Sequence, residues 1–252
     1  MLQYIMRYTR QDLEKHIKEE HRQSPFGTYL REIVYGGNDG IVTTFAVVAG
    51  FAGASAGGQI GGLGFAAVLL FGLANLFADG ASMSLGNFLS IRSEQDRYRK
   101  EERKEKREVD ANPHIEKAES QEILKQKGFS KEQAAQLVDI YSTNKPFWID
   151  FMMKYELEMA NPFDESPVFS AIATFLSFVI FGAIPLIPYM YVFPFGHPFT
   201  LAIIATGCAL LLLGLLRFKV TQESIIKSVG EILFVGGLSA SVAYFVGTFF
   251  QI

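Results

Sequence analysis

The residues most able to do chemistry in this chain are carboxylates set inside otherwise apolar sequence. Glu32 and Asp39 lie seven residues apart at the start of one such stretch. On a helix that spacing is nearly two turns, so both carboxylates project from one face. A second apolar stretch carries Asn75, Asp79, Met83 and Asn87 at four-residue steps. Steps of four drift slowly around a helix and draw a curving polar stripe. A charge within a bilayer costs at least about 2.5 kcal/mol, so each is a functional candidate. Carboxylate, amide and thioether along one stripe suit the passage of a partly dehydrated divalent cation. Hard oxygens fit Mn²⁺ and Fe²⁺, and the softer sulfur favours Fe²⁺ over Mg²⁺ or Ca²⁺. The structural alternative for Asn75 and Asn87 is interhelical hydrogen bonding, a role in which the ionised Asp39 and Asp79 are costly. Glu231 reads equally well as an exposed residue at a membrane interface.

A second set of candidates lies in the charged segment 92–165. Two Glu-x-x-Glu pairs stand there, Glu105 with Glu108 and Glu116 with Glu119. Residues three apart share a helix face, so each pair can pinch one cation or bridge two. The Asn112–Pro113 turn between the pairs folds the second helix back toward the first. Met152 and Met153 precede Glu156 by about one turn, which places thioethers beside a carboxylate and shifts preference toward Fe²⁺. The bland readings are a solvated helix laced with ion pairs and methionines that fill a core. His114, alone after a proline, reads as no ligand.

The elements that must position these groups follow from how charge is distributed. The chain has 252 residues, 49% hydrophobic and 19% charged, with a formal net charge of -3. Nearly all the charge falls in 1–32 and 92–165, a segregation that a soluble fold does not show. Near-neutral net charge excludes an electrostatic case for nucleic acid. Cys208, the single cysteine, can form no intramolecular disulfide and reads as a small apolar side chain. Five stretches reach the ~20 mostly apolar residues that a spanning helix needs: 33–54, 63–91, 168–190, 199–216 and 232–250. The links 55–62 and 191–198 carry no Lys, Arg, Asp or Glu. Arg22, Arg31, the Lys/Arg-rich segment 92–165, Arg217, Lys219 and Lys227 all flank the opposite ends. The positive-inside rule makes those ends cytoplasmic, the amino terminus inside and the carboxyl terminus outside. The expected fold is therefore an all-α polytopic membrane protein with five spans and a helical cytoplasmic insert between spans two and three. Its expected parts are an amphipathic segment 1–27 without a cleavable signal, spans one and two in 28–91, the metal-binding insert 92–165, and spans three to five in 166–252. Leu13 and Ile17 mark the apolar side of the amphipathic segment.

Within the insert the spacing predicts one long helix continuing from the second span to Asn112. Further helices are expected over 114–127 stopped by Gly128, after a cap at Ser130, and over 146–158.

These residues resemble the vacuolar iron transporter family, related to the yeast calcium-sensitive cross-complementer transporters, over nearly all of 28–250. The resemblance is carried by Arg31-Glu32-Ile33 through Asn38-Asp39-Gly40, Ala81-Ser82-Met83-Ser84-Leu85-Gly86 and Ser93-Glu94-Gln95-Asp96. It continues through Trp148-Ile149-Asp150-Phe151-Met152-Met153 and Ile184-Pro185-Leu186-Ile187-Pro188-Tyr189-Met190. The insert marks the subgroup with a cytoplasmic metal-binding domain. The resemblance implies a homodimer in lipid, an ion path between first and second spans, and proton-coupled export of Fe²⁺ from the cytosol. It implies insert ligands Glu105, Glu108, Glu116, Glu119, Met152, Met153 and Glu156, and path residues Glu32, Asp39 and Met83. Family members often carry a glutamate eight residues before the Ser-Met methionine, where this chain has Asn75. Asp79, one turn on, is the replacement the sequence offers, since an amide carries no proton.

The expected function is secondary transport of Fe²⁺ out of the cytosol in exchange for protons, with no prosthetic group. The expected membrane is the plasma membrane of a prokaryote or the vacuolar membrane of a eukaryote. A Mn²⁺ or broad divalent-metal exporter uses the same oxygens. A membrane-tethered di-iron oxidase is disfavoured, because such bundle sites use Glu-x-x-His and the insert has none. A metal sensor that transports nothing leaves the polar stripe without a role.

Overall fold

The computed structural model of the chain describes residues 9–20, 25–54, 62–191 and 198–248. Among them all regular structure is helical, as the sequence predicts. The main helices are α1 (Arg10–Glu20), α2 (Leu30–Ala54), α3 (Gly62–Ala111), α4 (Pro113–Gln126), α5 (Lys131–Tyr141), α6 (Lys145–Tyr155), α7 (Pro167–Ala183), α8 (Pro198–Thr221) and α9 (Ile225–Thr248). Residues 1–8, 21–24, most of both charge-free links and 249–252 lie outside the described residues. The chain divides into two compact units, Met1–Leu85 with Phe169–Ile252, and Gly86–Val168.

Among the described residues four helices are long and apolar enough to cross a membrane: Gly64–Ala111, which runs on into the second unit, Pro167–Met190, Pro198–Thr221 and Ile225–Thr248. The expected first span falls in α2, whose 25 residues supply the length. Asn38, Asp39 and its glycines make α2 less apolar than the other four. Packing compensates, because α2 lies against both α8 and α9 and buries Ile41, Val48 and Ala49 completely. Backbones come unusually close at Gly40, where a Cβ would stand 2.3 Å from the Phe178 carbonyl oxygen of α7. Lipid supplies no hydrophobic drive between helices, so such close approach is where dispersion and packing do the holding. Ser177 Oγ adds a 2.7 Å hydrogen bond to the Ile33 carbonyl.

The third expected span differs from one continuous helix. After Ala183 the chain tightens into a 3₁₀ turn at Ile184–Leu186 and a short turn at Ile187–Met190. Pro185 and Pro188 each remove an N–H that an α-helix needs, which accounts for the break. The turn is packed, with Leu186 fully buried beside Val48 and Val68.

The second unit holds the rest of α3 together with α4, α5 and α6. No breaker interrupts α3 from Gly62 to Ala111, so one helix of 50 residues forms. Non-helical backbone at Asn112 ends it and Pro113 starts α4, where a missing N–H costs nothing. Gly128, at φ 96, adopts the left-handed conformation that terminates α4. Ser130 and Gln133 form the reciprocal capping box that starts α5. The core gathers Tyr98, Val109, Leu124, Val138, Trp148, Phe151, Met152 and Met153. Gln95 ties α3 to the far end of the unit by donating to the Pro162 carbonyl at 3.2 Å.

Candidate metal centre

Three helices of the second unit each deliver one glutamate to a common point. Glu105 stands on α3 and Glu116 on α4, brought together by the reversal at Asn112–Pro113. Glu156 caps the carboxyl end of α6, which unwinds after Tyr155 into a turn with Glu158 at φ 52. One oxygen from each carboxylate lies within 4.8 Å of the others. Metal–oxygen bonds of about 2.0–2.6 Å place opposing ligand oxygens about 4–5 Å apart, so one cation fits this spacing. Glu105 is 2% exposed and Glu116 5%, whereas Glu156 faces solvent.

Burial of so much like charge changes the acids. Glu105 is pushed up to about 8, first by burial and then by the charges of Glu156 and Glu116. Glu156 is raised to about 7, again mainly by burial, with Glu119, Glu116 and Glu108 adding repulsion. Glu116 is raised by burial and by Glu119, while its hydrogen bond with Glu105 pulls the other way. Burial and mutual repulsion therefore favour the protonated form of these carboxyls. Glu105 Oε1 is buried without a hydrogen-bond partner. Such an oxygen lowers its energy by meeting a cation.

Of the seven residues expected in the insert site, Glu105, Glu116 and Glu156 converge. Glu108 and Glu119 reach the cluster through their charges, and Glu108 is also paired with Lys104 at 3.6 Å. Met152 and Met153 are completely buried in the core of the unit. The sulfur of Met152 accepts a hydrogen bond from Ser120 Oγ at 3.1 Å, and Trp148 Nε1 donates to the same oxygen at 2.9 Å. Ser120 escaped the sequence reading, and Trp148 entered it only as part of a family motif. The available signal was Ser120 one turn after Glu116, on the buried side of α4.

In the first unit, Asp39 on α2 and Asp79 on α3 lie within Coulombic reach of each other, and both are half-buried. Asn75 and Met83, one turn to either side of Asp79, are half-buried as well. Glu32 is 4% exposed and paired with Arg31 at 3.1 Å. Asn87 is half-buried on α3 in the second unit. Glu231 is exposed and accepts from Arg217 Nη1 at 2.7 Å.

Four apolar helices of membrane length define an integral membrane protein, and the acidic triad gives it a site suited to a divalent cation. Residues 30–248 match the VIT family. "Vacuolar iron transporter 1" of Oryza sativa subsp. japonica is 34% identical over 91% of this chain and 87% of its own length. "Vacuolar iron transporter" of Toxoplasma gondii is 35% identical over 96% of this chain and 82% of its own. "Vacuolar iron transporter 1" of Arabidopsis thaliana is 32% identical, covering 93% and 90%. The chain belongs to the VIT family, and these relatives are named for transport and not for a reaction.

Proposed function

We propose that this protein is a secondary transporter that carries Fe²⁺ out of the cytosol in exchange for protons. In this reading α2, the first part of α3, the α7 segment, α8 and α9 are five spans, and 92–165 is cytoplasmic. The amino terminus lies inside, the carboxyl terminus on the far side, and two copies form the working unit. The convergence of Glu105, Glu116 and Glu156 from three helices carries the reading. Relatives named as vacuolar iron transporters over most of their length support it.

The chemistry runs from proton to metal. Carboxyls held above the usual range still carry protons near neutral pH, and a cation that ligates them displaces those protons, so binding Fe²⁺ releases protons to the cytosol. Glu108 and Glu119 add charge around the triad, and Met152 and Met153 stand next to it in sequence as candidate sulfur ligands. In the membrane, Asp39 and Asp79 supply two carboxylates that alternate between cation and proton, with Glu32, Asn75 and Met83 along the route. Asn75 carries no proton, so Asp79 bears that part of the coupling.

Fe²⁺ uptake into proteoliposomes under an imposed pH gradient tests the reading. Uptake that follows the gradient and disappears in Asp39→Ala supports it; uptake indifferent to both sinks it.

One observation favours a second reading, a Mn²⁺ or broad divalent-metal exporter. The Met152 sulfur is already engaged by Ser120, which leaves an oxygen-only triad that suits Mn²⁺ equally. Replacing Met83, Met152 and Met153 by Leu separates the two. Loss of Fe²⁺ but not Mn²⁺ transport supports iron, and equal retention of both supports the broader exporter.

A further inference from the structure

The face of α3 turned away from the core of the second unit carries an unbroken run of cations. Positions 93, 97, 100, 104, 107 and 111 alternate steps of four and three, so they line one side of the helix. The middle four are Arg97, Lys100, Lys104 and Arg107, all exposed, with Arg103 beside them. At about 100° of turn per residue this stripe lies on the side opposite Ile91, Gln95, Tyr98, Glu105 and Val109, which are buried.

The acids that would pair with such a stripe on a solvated helix are committed elsewhere. Glu105 faces the metal centre, Asp110 is bound to Lys145, and Asp96 to Arg99. Lys100 and Lys104 come no nearer than 3.6 Å to Glu101 and Glu108, beyond hydrogen-bond distance. Among the described residues Arg97, Arg103 and Arg107 hold no ion pair. Loose exposed pairs are weak, so the charge of the stripe stays open to a partner.

Its geometry selects among anions. From Arg97 to Arg107 is ten residues, about 15 Å of helix, with cations about 4.5–6 Å apart along the axis. A partner helix with acids at the same steps matches that repeat, whereas same-side residues of an extended strand stand about 6.6–6.8 Å apart. A second copy would set these cations against their own kind. The field of an anionic bilayer surface decays over a Debye length of about 8 Å. Arg107 lies sixteen residues, about 24 Å of helix, beyond Ile91 at the end of the apolar run. The net charge of -3 opposes a long polyanion such as duplex DNA, whose field extends past the stripe.

We propose that this stripe docks an acidic helical segment of a cytosolic protein, its carboxylates on Arg97, Lys100, Lys104 and Arg107. The contact is polar and salt-sensitive, which suits a transient partner. The inference rests on the proposed cytoplasmic placement of 92–165 and is independent of which ion is carried.

Fluorescence anisotropy on the full chain in an uncharged detergent tests it. The probe is a labelled alanine-based peptide of about 20 residues carrying Glu at alternating steps of four and three. Its controls are the same peptide with Gln for Glu, duplex DNA and dioleoylphosphatidylglycerol. The Glu peptide is expected to bind at least about tenfold tighter than the Gln peptide, and to weaken by about tenfold or more between about 0.05 and 0.5 M salt. Arg97→Glu/Lys100→Glu/Arg107→Glu is expected to lose about tenfold or more and to bind instead the same peptide with Lys for Glu. That variant keeps Lys104, whose charge bears on Glu116 and Glu156. Arg97→Gln/Arg107→Gln removes only cations without ion pairs, is expected to weaken binding by about threefold or more, and carries the test should the triple variant fail to fold. Equal binding of the Gln peptide, wild-type affinity in either folded variant, or tighter binding of DNA or lipid at the stripe overturns the proposal. Loss of Fe²⁺ transport in the same preparation leaves the peptide result unaffected, so the two readings stand or fall apart.

Discussion

The glutamates of 86–168 and the aspartates of the first unit are both carboxylates among apolar neighbours, yet they are arranged differently, and in the proposed reading they serve opposite tasks. Glu105, Glu116 and Glu156 come from three helices and bring their oxygens within 4.8 Å of each other. Two of the three are almost fully buried, and Glu108 and Glu119 add charge from nearby. A cation there gains several ligands at once, so the arrangement favours holding. Asp39 and Asp79 form a sparser pair, one from each of two helices, and both are half-buried. A route must bind well enough to admit an ion and weakly enough to release it. Dense ligation suits capture, and sparse ligation suits passage.

The sharpest way to break this division is Asp39→Asn. It is expected to lower transport in proteoliposomes by on the order of a hundredfold, the cost of losing one charged ligand. Cation binding by the full chain, measured calorimetrically, should stay at the wild-type level. A parallel fall in binding would mean that the two regions are not separate sites.

Glu105→Gln reverses the pattern. Calorimetry should show cation affinity reduced by about ten- to a hundredfold, while transport at saturating cation falls by less.

Acidity then sharpens the contrast within the glutamate cluster. With Glu156 raised to about 7 and Glu105 to about 8, both must deprotonate to ligate, so affinity should climb steeply between about pH 6 and 8. Stability of the metal-free unit runs the other way. A folded acid held above its ordinary value of 4.5 contributes stability that is complete below 4.5 and lost as pH rises through about 8. Thermal unfolding of metal-free protein across that window should show a declining midpoint, flattened in Glu105→Gln.

The smallest expected effect is Ser120→Ala. It removes the hydroxyl between Trp148 and Met152 and should cost about 1 kcal/mol. A shift in Trp148 fluorescence reads the change directly. Fe²⁺ affinity that falls with it places Met152 at the site, and unchanged affinity assigns Met152 to the core.

Much of this protein was legible locally. Proline at 113, the Ser130–Gln133 capping box and Gly128 mark helix boundaries through interactions spanning a few residues, and all three boundaries are observed. The spans follow from the run lengths of apolar residues, again a local property. Less legible was the break at Ile184–Leu186, because a proline inside an apolar run can kink a helix or end it. The Glu-x-x-Glu spacing named both members of each pair as equals, while the fold buries Glu105 and Glu116 and leaves Glu119 exposed.

By itself the sequence determined that the chain is helical, where charge is tolerated, and which acids are candidates, since helix period, capping and apolar run length act between near neighbours. Only the tertiary structure decided which acids meet, that Asp39 and Asp79 come within Coulombic reach of each other, and that the Met152 sulfur is turned to Ser120. Those outcomes depend on how far each helix is rotated as it packs, and rotation is set by contacts between residues distant in the chain.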